Sequence, residues 1–128
     1  MSAQNNLSPK QFTSMEHIPV HELMNYHTDH GPETVAHAEG FTRKFDYEEG
    51  KPMDHIYNLG ESMQSKGQKQ PIDVIEHPES GARKVINGHH RIYGAAEVGM
   101  ESLKARIHKP VTEGNTVKYP TMNREGYE

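Results

Sequence analysis

From Pro52 onward the apolar residues recur with a helical period. Met53, Ile56, Tyr57, Gly60 and Met63 share one face, Leu59 lies beside it, and Gly67 is a natural C-terminal stop. The pattern predicts a helix that sends Met53, Tyr57 and Met63 into the core. Gln70-Pro71 then leads into a strand, Ile72-Asp73-Val74-Ile75. Pro78-Glu79-Ser80-Gly81 reads as a turn, after which Arg83-Lys84-Val85-Ile86-Asn87 returns as a second strand. Gly88 ends that strand abruptly. A helix is predicted from about His89 to Val98, with Ile92, Ala95 and Ala96 buried, Tyr93 off that face, and Gly99 as its stop. Leu103, Ala105 and Ile107 alternate with Lys104 and Arg106, the signature of a half-buried strand with a solvated basic face.

Upstream of Pro52 the pattern weakens. His17 to Met24 reads as a short strand running into a turn, and Pro19, which lacks a donor, restricts it to an edge or a strand start. Residues 27–51 are polar and acidic, with Val35, Phe41, Phe45 and Tyr47 as their only larger apolar residues. They read as a long, partly helical insertion of the kind that serves as a lid or binding loop. Three parts follow: a flexible N-terminus at 1–16, a domain at 17–108 carrying the 27–51 insertion, and an extended or flexible tail at 109–128.

A chain of 128 residues and 14.5 kDa is the size of one domain. Only 32% of it is hydrophobic and its mean hydropathy is -0.94, so a small core with polar ends is expected. The absence of cysteine removes disulfides, thiolate nucleophiles and cysteine-ligated zinc. No apolar run approaches a membrane span and no signal pattern opens the chain, so a soluble, cytoplasmic protein is expected. The net charge of -4 opposes broad nucleic-acid binding, which needs clustered Lys and Arg.

The chemistry concentrates at Val85-Ile86-Asn87-Gly88-His89-His90-Arg91, where a strand feeds through glycine into a helix N-terminus. The first N–H groups of a helix lack intrahelical partners and the dipole there is positive, so an anion can be held. Gly88 would let a phosphate approach the backbone, and His90 and Arg91 add donors in a turn where cations are otherwise unfavourable. The competing reading is an ordinary turn with solvated His and Arg. Elsewhere, His17 and His21 have a helical metal spacing that Pro19 opposes. His27, His30 and His37, with Asp29 or Glu33, are read as solvated loop residues before metal ligands. No resident protein-held metal is expected; a divalent ion bridging nucleotide phosphates is better motivated.

From Met53 to Ile107 these motifs, in this order, resemble the ParB/sulfiredoxin superfamily: a helix, then Gly67-x-x-Gln70-Pro71-Ile72-x-Val74, a strand, and Gly88-x-x-Arg91-x-x-Gly94-Ala95. Ile18-Pro19-Val20-x-x-Leu23 is similar to the family's first strand. The resemblance implies a small α+β domain with a mixed sheet, a few helices and a strand-Gly-helix phosphate turn. It implies a nucleoside di- or triphosphate with Mg2+ at Gly88, His89, His90 and Arg91, with Gln70 and Pro71 in the same site and Arg91 as the surest contact.

The departures narrow what the resemblance implies. His89 stands where sulfiredoxins carry a catalytic cysteine, which excludes sulfinic acid reduction. Chromosome-partitioning members have Glu-Arg in place of His89-His90, and continue into a hydrolytic motif, a DNA-reading helix-turn-helix and a dimerisation domain that do not follow Ile107 here. The Gly-His-His-Arg form is more similar to free-standing, phage- or plasmid-type members. The resemblance therefore implies a stand-alone, DNA-associated, nucleotide-binding domain, in the host cytoplasm if phage-encoded. Any DNA contact would be weak and non-specific, drawing on Lys84, Lys104 and Arg106, and a protein partner is open. The alternative is a phosphoryl-transfer or phosphodiester-cleaving enzyme, serine-kinase-like or nuclease-like, with Glu22 as base and His89 and His90 assisting. A third reading is a scaffold for protein contacts.

Overall fold

Leu103, Ala105 and Ile107 point inward and are at most 1% exposed, as their alternation with Lys104 and Arg106 predicts. The strand they belong to organises an α+β fold in a computed structural model that describes residues 13–29 and 31–118. In chain order the elements are β1 (Thr13–Pro19), α1 (Val20–Asn25), β2 (His27–Thr28), α2 (Val35–Glu48) and α3 (His55–Lys66). They continue with β3 (Ile72–Glu76), β4 (Arg83–Asn87), α4 (His89–Val98), β5 (Ser102–His108), β6 (Val111–Glu113) and β7 (Thr116–Lys118). The main sheet has the order β1-β5-β3-β4-β2. It is mixed: β1 runs antiparallel to β5, β5 parallel to β3, β3 antiparallel to β4, and β4 parallel to β2. Ile18, Ile72, Val74 and Val85 join the β5 residues in a core with Leu23, Val35, Ile56, Met63 and Ile92 from the helices.

Several sequence expectations are corrected. The first strand begins at Thr13, not His17, because Thr13 to Pro19 pair residue by residue with His108 back to Ser102. Residues 13–16 are therefore strand rather than flexible terminus; residues 1–12 lie outside the described residues. β1 is an edge strand and Pro19 is its last residue, as a residue without an N–H requires. Past it, Val20 to Asn25 turn helical rather than extended, with Val20 donating its N–H to the Glu101 carbonyl at 2.9 Å.

The polar 27–51 segment is mostly α2, whose first turn is capped by Thr34 Oγ1 accepting from the His37 N–H at 3.2 Å. Its inward stripe is Val35, Ala38 and Asp46, whereas Phe41 and Phe45 face solvent. Met53 is 86% exposed and precedes α3, and Tyr57 lies at the surface; of the three expected core residues on this helix, Met63 is buried. Tyr93, by contrast, is 1% exposed, and its hydroxyl donates to the Val35 carbonyl at 2.6 Å. A phenol whose O–H finds a carbonyl can be buried without cost to hydrogen bonding. Past Pro110, β6 and β7 form a two-residue hairpin with Gly114 at φ 60 and no positive φ at Asn115, the II′ pattern. Residues 119–128 lie outside the described residues.

α3 and α4 run side by side in the same direction. A Cβ on Gly60 would lie 2.1 Å from the Gly94 carbonyl oxygen, and one on Gly94 would lie 2.8 Å from the Ile56 carbonyl oxygen. The two backbones are in contact, which glycine alone permits. Four residues further along each helix, Gln64 Nε2 donates to the Val98 carbonyl at 3.2 Å. Gly94→Ala is expected to lower stability by about 1–3 kcal/mol, because the added methyl meets backbone that cannot yield. Urea denaturation measures this directly; an unchanged midpoint would mean that the helices separate at no cost.

Candidate functional site

β4 delivers the chain to α4 through Gly88, whose φ of +107 belongs to the left-handed region that side chains disfavour. A Cβ there would come within 2.5 Å of Ile72 Cδ1. The missing side chain thus relieves a clash with the core side of the turn, whereas the sequence suggested that it clears space for a ligand. α4 itself has neither a side-chain N-cap nor an acidic residue in its first turn. No residue of the helix itself offsets the partial positive charge of its N-terminus.

The three side chains after Gly88 point to different partners. His89 is 7% exposed, and its Nε2 lies 2.7 Å from Thr28 Oγ1, so it joins α4 to β2 inside the domain. It does not ring a surface phosphate as expected, because the first residue of α4 faces the sheet. His90 Nε2 donates to Asp46 Oδ2 at 2.8 Å. Arg91 Nη1 donates to the Gln70 and Pro71 carbonyls at 2.7 and 2.8 Å. Burial lowers the Arg91 pKa from its usual value, and the charge of Asp73 opposes that shift. Gly88, His90, Arg91, Gln70 and Pro71 are therefore brought to one end of the sheet, with Gln70 and Pro71 contributing carbonyl oxygens.

His90 shares Asp46 with a second histidine. His55 Nε2 lies 2.9 Å from the same Oδ2, and the two imidazole centroids are 5.5 Å apart. Burial by itself raises the Asp46 pKa, but the hydrogen bonds from His90 and His55 outweigh it and hold the carboxyl below its usual value. An ionised carboxylate only accepts, so each Nε2 carries the donated proton. Sequence reading passed over Asp46 and His55. The available signal was Asp46 itself, an acid that continues the inward stripe of Val35 and Ala38 at helical spacing.

A second buried acid underlies the turn. β4 carries one extra residue, Ile86, between its pairings with Asp73 and Val74, a bulge of the kind that re-aims side chains. Asp73 Oδ2 accepts from Asn87 Nδ2 at 3.1 Å and Oδ1 from His108 Nε2 at 2.9 Å, with Arg106 Nη1 at 3.9 Å. Burial raises the Asp73 pKa, and the bonds from His108 and Asn87 reverse the shift to a net lowering. Arg106, read as part of a solvated face, is drawn to this carboxylate.

Glu22 is elsewhere. It accepts from the Tyr26 hydroxyl, which in turn accepts from Arg83 Nη1 at 3.2 Å. Arg83 opens β4 and Asn87 closes it, and four strand steps separate the two by about 13 Å. Glu22 belongs to that far network, with Glu16 and Glu76 also on Arg83, and not to the turn. In β2, His27 Nδ1 lies 3.2 Å from the Pro32 carbonyl, and in the first turn of α2 His37 Nδ1 lies 2.9 Å from Thr34 Oγ1. These histidines have local partners; His30 lies outside the described residues. Among the described residues no helix is long and apolar enough to cross a membrane.

The family model of the ParB N-terminal domain matches residues 45–123. The crystal structure of sulfiredoxin from Arabidopsis thaliana is similar with a TM-score of 0.51 and 18% sequence identity, over 75% of this chain and 85% of that one. At that identity the likeness is one of fold. No curated protein sequence matches the chain.

The depressed Asp73 pKa has a signed consequence. Its stabilising contribution is complete above the unfolded carboxyl value, near 3.9, and is lost as pH falls through the lower folded value. Asp73→Asn is expected to cost about 1–3 kcal/mol at neutral pH and to flatten stability below about pH 4. Thermal melts from pH 7 to pH 2 check both, and an acid limb as steep as in the wild type would remove Asp73 as its source.

Proposed function

Because the chain belongs to the ParB N-terminal domain family, we propose that it binds a nucleoside di- or triphosphate, with Mg2+, at the N-terminus of α4. The observation that carries this reading is a helix of ten residues that opens from Gly88 without a side-chain cap or a first-turn acid. The first-turn N–H groups, which have no side-chain cap, and the dipole favour a phosphate there. Arg91 supports it: Nη1 is occupied by Gln70 and Pro71, and a guanidinium has three further N–H donors for phosphate oxygens. The proposed role is that of a phage- or plasmid-type domain that acts near DNA, through a protein partner or weak contacts of its own.

The phosphoryl-transfer reading loses its motive, because a general base works within hydrogen-bond reach of its target and Glu22 belongs to the Arg83 network. The scaffold reading makes no demand on α4, and ligand binding separates it from this proposal.

Thermal-shift measurements with a panel of nucleotides and Mg2+ are expected to raise the midpoint for at least one of them, by mass action. Arg91→Ala should then weaken that nucleotide by about 1.5–3 kcal/mol in calorimetry, the value of a charge-assisted hydrogen bond. It should also lower stability, since the Gln70 and Pro71 carbonyls lose their donor. No shift with any nucleotide, or full affinity in the variant, would overturn the reading.

Duplex DNA is expected to bind weakly and without sequence preference. Lys84 and Lys104 are exposed, but Arg106 faces Asp73 and the net charge is -4. Gel shifts at two salt concentrations should show any affinity collapsing at the higher one. Salt-tolerant preference for one sequence contradicts this expectation.

A further inference from the structure

We propose that Asp46, His55 and His90 bind one divalent transition-metal ion, with zinc the best match to their donor set. The ligand atoms are two imidazole nitrogens and one carboxylate oxygen, all within 4.8 Å of one another. Imidazole with carboxylate suits zinc and its transition-metal neighbours, whereas magnesium and calcium take oxygen. Tetrahedral zinc with bonds of about 2.0–2.1 Å separates its ligand atoms by about 3.3 Å. The Nε2–Oδ2 distances here are 2.9 and 2.8 Å. Each pair must open by about half an ångström to admit the ion, within the reach of a side-chain torsion.

The ligands come from three helices, α2, α3 and α4. The contact of Gly60 with Gly94 fixes the spacing of α3 and α4, so His55 and His90 are held in place by backbone packing. Sites on rigid elements keep their geometry better than sites on loops. Both rings already direct Nε2 at Asp46. Metal binding requires each imidazole to present Nε2 without a proton, its remaining N–H being on Nδ1. Asp46 is buried, while the side chains of His55 and His90 are 23% and 40% exposed. Solvent therefore reaches one side of the cluster. A cavity of about 140 Å³, lined by Asp46 and His55 together with Lys51, Pro52 and Met53, adjoins it. A water or an anionic ligand has room there as a fourth ligand, the arrangement of an open zinc site.

The site does not depend on nucleotide binding, and its test uses metal alone. The metal-stripped full chain is titrated calorimetrically with ZnCl2, and separately with CoCl2 under visible absorption. The expected result is one zinc per chain, an upward shift of the melting midpoint, and the intense absorption of tetrahedral cobalt. His55→Gln and His90→Gln each retain a side-chain N–H for Asp46 while removing a ligand. Each should weaken zinc by at least ~100-fold, beyond the 10–100-fold typical of outer-shell partners. His27→Gln in β2 and His37→Gln in the first turn of α2 should bind as the wild type does. Three results overturn the proposal: no stoichiometric zinc uptake, uptake unaffected by His55→Gln and His90→Gln, or uptake lost in His27→Gln or His37→Gln instead. In the first case the cluster is a hydrogen-bonded clamp between helices only.

Discussion

The direct backbone contact of Gly60 with Gly94 sets how α3 lies against α4, and most of the candidate chemistry depends on it. Parallel helices in contact at one level must match at others. His55 meets His90 one turn before the contact, and Gln64 reaches Val98 one turn after it. Any larger residue at the crossing would push the helices apart and separate the two imidazoles from the carboxylate they share. The apolar residues of both helices, Ile56, Met63 and Ile92, then close over the sheet. Packing and site geometry here have the same cause.

β4 separates two kinds of polar chemistry. At its start, Arg83 gathers Glu16, Glu76 and Tyr26, and its own pKa is raised by those partners against the effect of burial. At its end, Asn87 and Gly88 pass the chain to α4, over the buried carboxylate of Asp73. An ion-pair cluster of the first kind ties β1, β3 and β4 to α1 through Tyr26 and Glu22. The second kind arranges backbone N–H groups and carboxylates around a helix N-terminus, where a ligand's charge matters. Distance along one strand keeps them apart.

Membership of the ParB N-terminal domain family, with a sulfiredoxin-like fold, accounts for the frame of this protein but leaves its chemistry to individual residues. His89 illustrates the point. The position that the resemblance associates with a cysteine nucleophile is here a buried histidine paired with Thr28. Its neighbour His90, one residue further round the helix, turns instead toward Asp46. A rotation of about 100° per residue places consecutive side chains in different environments, so a run of similar residues does not make a uniform site.

The sequence by itself determined the elements from α3 to β5, because their apolar residues repeat with periods of 3.6 and 2 and are bounded by glycine and proline. It also located the turn at Gly88, since strand, glycine and helix follow one another without a gap. It could not reveal α2 as a buried element: the inward stripe ends in Asp46 and the aromatic residues Phe41 and Phe45 face solvent, so the period is inverted in polarity. Nor could it reveal β1 from Thr13, because an edge strand needs only one apolar face and takes its pairing from β5. The meeting of Asp46, His55 and His90 was decided only by the tertiary structure. Residues separated by up to 44 positions in the chain share no local pattern. They converge because two glycines let two helices touch.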